Sequence, residues 1–199
     1  GLPIPDSILW SRDNPRHVRL MLKNRVEGRD VEFYDFDVAL RELRYANGLF
    51  VVNGVEQSID FQEFSPASSV DDIRNAYNAG VRAIRFTAGS VADEVLDYCD
   101  RVGIYVIDCV AISSPTNADN RDMGGSPANA PWLEKEYVAR TLTTYYRSRH
   151  HACIIAYSLA GKESGNGYCL YKTYQWLKSV EKNRPIICTS ADGEWNSDF

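Results

Sequence analysis

Two textures of hydrophobic patterning meet near Asn53-Gly54. Upstream, Val18, Leu20 and Leu22 fall at every second position beside Arg19 and Lys23, Val31 and Phe33 flank Glu32, and Leu49 to Val52 is a short apolar run. Period-two segments parted by Glu27-Gly28-Arg29-Asp30 and Ala46-Asn47-Gly48 predict antiparallel hairpins. Residues 10–52 therefore read as the last strands of an antiparallel β-sandwich, too few to close one. Downstream, the pattern changes to strand and helix in alternation. It predicts strands near 55–60, 81–87, 104–111, 153–159 and 185–190. Helices are predicted near 69–79, 90–102, 132–149 and 167–182, with Ser68 or Ser69 as the first N-cap, Gly80 and Gly103 as terminators, and Pro185 beyond the last. Such alternation implies right-handed crossovers and a parallel sheet. The chain divides into residues 1–52, terminal sandwich strands, and residues 53–199, the α/β part.

Length limits the second part. With 199 residues there is room for one sizeable core but not for a complete eight-stranded barrel with additions. A net charge of -5 argues against nucleic acid, which requires clustered Lys and Arg to displace counterions. The five cysteines, Cys99, Cys109, Cys153, Cys169 and Cys188, show no C-x-x-C spacing and lie mostly in apolar runs, which predicts buried free thiols rather than disulfides or a zinc site. No stretch reads as a leader or a membrane span, so a soluble chain, cytoplasmic or periplasmic, is expected.

The chemistry concentrates where the run Ile154-Ile155-Ala156-Tyr157-Ser158-Leu159 empties into Ala160-Gly161-Lys162-Glu163-Ser164-Gly165-Asn166-Gly167. In barrels of βα units, catalytic side chains sit just past the C-terminal ends of strands. Glu163 is thus the leading candidate, set against the ordinary alternative of a solvated loop carboxylate. The long segment from Ser113 to Pro131 also follows a strand and would lie over the same face, as a functional loop or a solvated insertion.

This corner resembles the acid/base segment W-S-L-G-N-E-S-G of glycoside hydrolase family 2, the β-galactosidase, β-mannosidase and β-glucuronidase group. The resemblance runs through most of the chain in order. Asn14-Pro15-Arg16-His17-Val18-Arg19-Leu20 is similar to N-P-Y-L-Y-x-L, Ala39-Leu40-Arg41 to G-F-R, and Asn47-Gly48-Leu49-Phe50-Val51-Val52-Asn53-Gly54 to D-G-L-F-x-L-N-G. Ala83-Ile84-Arg85 looks like A-V-R, Cys99 to Asp108 like C-D-R-x-G-x-Y-V-x-D, and Arg147-Ser148-Arg149-His150-His151-Ala152-Cys153 like R-D-R-N-H-P-S. The resemblance implies a partial (β/α)8 barrel of TIM type preceded by strands of an immunoglobulin-like β-sandwich. It implies a β-galactosidase-like parent with a retaining mechanism, Glu163 as acid/base, and Glu63, Arg85, Asp108, Lys162 and Trp195 around the sugar.

Departures from the pattern fall on the chemistry. N-R-H-E-H-H-P is matched by Asp60-Phe61-Gln62-Glu63-Phe64-Ser65-Pro66, S-H-Y-P by Thr87-Ala88-Gly89-Ser90, and D-E-A-N-I-E by Asp108-Cys109-Val110-Ala111-Ile112-Ser113. Sugar-contacting histidines and a magnesium carboxylate are lost, and Lys162 replaces the Asn before the acid/base Glu. The family's nucleophilic Glu has no counterpart. A retaining glycosidase needs two carboxyl groups, so the isolated chain is expected to be inactive. The rival reading is a catalytically degenerate carbohydrate-binding or scaffold module. A salt bridge from Arg85 to Asp108 or Glu63, and a purely structural Asp108, are alternatives at single residues. Trp132 is expected to pack, and His17, His150 and His151 do not read as metal ligands. No cofactor and no metal are expected. The expected partners are a carbohydrate substrate and a second copy of the chain, because an unclosed sheet exposes edges.

Overall fold

The computed structural model describes residues 4–199. Three sheets follow one another along the chain. Strands β1 (Val18–Val26) and β2 (Arg29–Val38) form an antiparallel hairpin. Strands β3 (Leu43–Ala46), β4 (Leu49–Val52) and β5 (Val55–Gln57) form a second antiparallel sheet. The third is parallel, with β6 (Gln62–Phe64), β7 (Ala83–Phe86), β8 (Tyr105–Cys109), β9 (Ile154–Ser158) and β10 (Ile186–Ile187) side by side in chain order. Helices α1 (Val70–Asn78), α2 (Asp93–Val102), α3 (Glu134–Ser148) and α4 (Tyr168–Val180) are the crossovers. Chain order with parallel neighbours is the arrangement of the first part of a βα barrel.

Local chemistry accounts for the helix ends. Ser69 caps α1 through a reciprocal pair in which its hydroxyl accepts from the Asp72 N–H and the Asp72 carboxylate accepts from the Ser69 N–H, satisfying donors that a helix start leaves free. Helix α2 ends at Gly103, in left-handed conformation.

The expected start of the parallel sheet needs correction. Residues 55–57 pair with β4, and the first parallel strand is β6, at 62–64. The hairpin and the β3–β5 sheet are separate, and β5 extends the second of them past residue 52. Hairpin side chains alternate as far as the irregularity between Asn24 and Arg25, with Met21 and Phe33 falling on the charged face. Leu20 pairs with Phe36 and Leu22 with Tyr34 on one face, while Arg19 with Asp35 and Lys23 with Phe33 occupy the other. The apolar face is exposed along its length.

Beneath the helices lies the core. Ile84, Phe86, Val106, Leu96, Leu170 and Leu177 are all inaccessible to solvent. Trp10, also fully buried, donates its indole N–H to the Asp100 carbonyl at 2.8 Å. Arg41 donates to the carbonyls of Ala152 and Ile154 at the start of β9. These two side chains fasten the N-terminal segment to the barrel end opposite Glu163. Burial and the nearby Arg184 guanidinium lower the pKa of Arg41 to about 10. Among the described residues no helix is long and apolar enough to cross a membrane, and all five cysteines are buried and unpaired.

Candidate functional site

The segments that follow β8, β9 and β10 enclose a cavity of about 660 Å3 lined by Arg121, Lys162, Glu163, Asn166, Thr189 and Asp192 among others. Glu163 lies in a single 3-10 turn, Lys162–Ser164, just past β9. Both flanks of the turn are tied to the segment following β8. The Gly161 N–H donates to the Ile112 carbonyl at 2.9 Å, and the Ser164 hydroxyl accepts from the Ser114 N–H at 3.0 Å. The Glu163 carboxylate folds back over Gly161, where a β-carbon would collide with Oε1. Only the missing side chain lets the carboxylate rest there.

The loop from Ser113 to Pro131 closes one side. Its Ala118 carbonyl presses on Gly165, which has φ 65° and ψ -155° and no room for a β-carbon. Arg121 donates to Glu194 at 3.0 Å. Glu194 also accepts from the buried Asn166 amide at 2.9 Å, and Asn166 and Asn196 exchange two side-chain hydrogen bonds. The Asn129 side chain accepts from the Tyr168 N–H at the start of α4. The loop is thus built into the rim rather than lying as a solvated insertion.

Register decides which expected residues join. Glu63 pairs with Arg85, Arg85 with Ile107 and Ile107 with Ala156, and partners in neighbouring parallel strands share a face. Arg85 donates to the Thr189 hydroxyl, and Glu63 lies exposed on the adjacent strand. Cys109 ends the same face. Burial pushes its thiol up to about 12, with Ser158 and Arg85 opposing the shift and Glu163 adding to it.

Asp108 does not join this group. One residue out of phase, it points to the helix layer, where it is fully buried with Oδ2 3.3 Å from the Arg147 guanidinium of α3. Arg147 also donates to the Val91 carbonyl at 2.5 Å. Burial raises the Asp108 pKa to about 6, against the opposing pull of Arg147. Trp195 is outside the cavity lining; its ring meets Tyr171 of α4 at 3.8 Å between centroids. Trp132, expected to pack, is 72% exposed. Lys162 does line the cavity.

Sequence reading did not single out Arg121, Asn166 or Thr189 as site residues. Their signals were indirect, in a long loop after a strand, a Gly-Asn-Gly corner, and the end of the last strand. Among the described residues, the one set of three metal-ligating side chains with ligand atoms within 4.8 Å of one another is Asp100, His151 and Cys153. It lies before the start of β9, at the other end of the strand from Glu163.

The family model for glycosyl hydrolases family 2, TIM barrel domain, matches residues 47–198. Among solved structures, a GH2 β-galacturonidase from Eisenbergiella tayi bound to galacturonate is 18% identical over 94% of this chain and 35% of that one, with TM-score 0.72. A β-glycosidase from Bacteroides vulgatus is 17% identical over 93% of this chain and 25% of that one, with TM-score 0.68. A β-glucuronidase from Parabacteroides merdae is 15% identical over 91% and 25%, with TM-score 0.67. At these identities the likeness is one of fold. The chain spans about a quarter to a third of the length of these structures.

Proposed function

Since the chain belongs to glycosyl hydrolase family 2, through its TIM barrel domain, we propose that it forms the first half of a barrel that cleaves β-linked sugars when complete. Glu163 protonates the departing glycosidic oxygen. The observation that carries this reading is its place, beyond the C-terminal end of β9 and lining a cavity of about 660 Å3, with loop 113–131 pinned beside it. Arg85 and Glu63 share the inner face and meet the substrate from the first two parallel strands; Lys162 contacts it from beside the acid. Retaining hydrolysis requires a second carboxylate about 5–5.5 Å from the first. We assign that group to the part of the barrel outside these 199 residues. A β-galactoside is the first substrate to test, with β-glucuronide and β-galacturonide beside it.

The hairpin β1–β2 belongs, in this reading, to an immunoglobulin-like sandwich whose other strands cover the stripe of Leu20, Leu22, Tyr34 and Phe36. A catalytically degenerate binding or scaffold module is the second reading, favoured by Lys162 in place of the family's Asn and by the lost histidines.

Nitrophenyl glycosides of the three sugars test both. The chain alone should give no turnover. In the longer protein carrying this segment, Glu163→Gln should lower kcat/KM about 10²–10⁴-fold for a poor leaving group, as expected when a general acid is removed. The loss should be much smaller for a dinitrophenolate, which departs without protonation. Turnover by the 199 residues abolished by Glu163→Gln would sink the half-site assignment. Sugar binding without hydrolysis in the longer protein would favour the degenerate module.

A further inference from the structure

Three successive residues after β10, Glu194, Trp195 and Asn196, divide between the two sides of one wall. Glu194 accepts from Arg121 and Asn166, and Asn196 exchanges two hydrogen bonds with Asn166, so both are tied to side chains that line the Glu163 cavity. Trp195, between them, takes no part in that lining. Its indole rests instead against Tyr171 of α4 and is 63% exposed.

A single exposed ring needs no explanation, but this one is half of a corner. The planes of Trp195 and Tyr171 stand 79° apart, with centroids 3.8 Å from each other. Polar contacts hold the tyrosines of the same helix. Gln175 donates to the Tyr171 hydroxyl, and the Tyr168 hydroxyl donates to Glu134 at 2.7 Å. Lys172 Nζ stands 5.4 Å from the centroid of the Tyr168 ring and 5.8 Å from that of Tyr171, an attraction of ammonium to ring faces. Tyr168, Tyr171, Lys172 and Gln175 follow the spacing of one helix face. No aliphatic side chain interrupts these four positions, whereas a helix face that docks protein is read from apolar anchors at the same spacing.

We infer that the corner of Trp195 and Tyr171 is a surface site for a β-linked oligosaccharide, outside the cavity and separate from it. A pyranose ring offers C–H bonds on its face and hydroxyls round its edge. The open indole takes the face, while Lys172 and Gln175 stand beside it as donors to the edge. The choice of a sugar rests on the reading of the neighbouring cavity. A chain held here lies one wall away from Glu163, so the site would retain an extended substrate near the acid between encounters.

Tetraoses of β-linked galactose, glucose and mannose, titrated into the chain and followed by calorimetry and tryptophan fluorescence, test this. At least one tetraose should bind, and more tightly than its monosaccharide. Trp195→Ala should weaken that binding by more than about ten-fold, and Trp195→Phe should restore most of it. Neither should move the melting temperature. Glu163→Gln should bind as the wild type does, which separates this site from the acid. No binding of any tetraose, or affinity unchanged in Trp195→Ala, would overturn the inference. So would an equal loss in Trp132→Ala, whose indole just before α3 is 72% exposed. Protection of Trp195 from acrylamide without sugar, in the longer protein or in the chain as its concentration rises, would give the corner to another protein surface and overturn it too. The cavity reading is decided separately, by turnover.

Discussion

Asp108 shows how one residue's phase in a strand decides its role. It carries a carboxylate with one oxygen 3.3 Å from Arg147 and the other without a partner, and burial raises its pKa to about 6. An unfolded Asp titrates near 3.9. The folded state therefore holds the proton more tightly, and this group's contribution to stability falls as pH rises from about 4 to about 6, by roughly 2–3 kcal/mol. Urea denaturation at pH 4.5 and 7.5 should show that fall in the wild type relative to Asp108→Asn, which cannot titrate there. An equal pH dependence in the two proteins would refute it. The sequence did not reveal the phase, because Ile104, Val106, Ile107 and Cys109 make both faces of the strand apolar. The position of Glu163 just past β9 was legible for the opposite reason, as the lone carboxylate in a Gly-rich corner after an apolar run.

Elements were legible where an end signal accompanied the period. The Ser69 cap and the Gly103 stop fixed α1 and α2 closely. The first parallel strand was misplaced because Val55–Gln57 has the alternation of any short strand, and only tertiary pairing with β4 shows where it belongs. That loop 113–131 lies over the Glu163 face was legible, but one contact that seats it, the Ala118 carbonyl against Gly165, was not, as it rests on backbone conformation. Gly165→Ala should cost about 1–3 kcal/mol for the forced left-handed backbone alone, and more because the β-carbon meets the Ala118 carbonyl. Gly161→Ala is the control. Its neighbour is the movable end of Glu163, so the carboxylate should shift while denaturant midpoints stay close to wild type. Equal losses in the two variants would mean that the loop contact is unimportant.

At the scale of the molecule, the parallel sheet ends at β6 on one side, while on the other the C-terminal segment covers β10, with the Asp198 N–H donating to the Ile186 carbonyl at 2.8 Å; the hairpin presents Leu20, Leu22, Tyr34 and Phe36, each nearly half exposed. An amphipathic two-stranded ribbon with an uncovered apolar face is a ready surface for a second copy. The isolated chain should self-associate, and Leu22→Lys with Phe36→Lys, which face the same side, should return it to a monomer. Multi-angle light scattering checks both. A monomeric wild type at high concentration would show that the stripe alone does not drive association.

The five buried thiols turn the same chain into a set of clocks. Cys99 lies in α2, Cys109 ends β8, Cys153 precedes β9, Cys169 opens α4 and Cys188 follows β10. An alkylating reagent reaches each sulfur only as often as its surroundings open. The order in which the five become labelled therefore ranks the successive βα units by local stability, one unit against the next, with no probe added to the sequence.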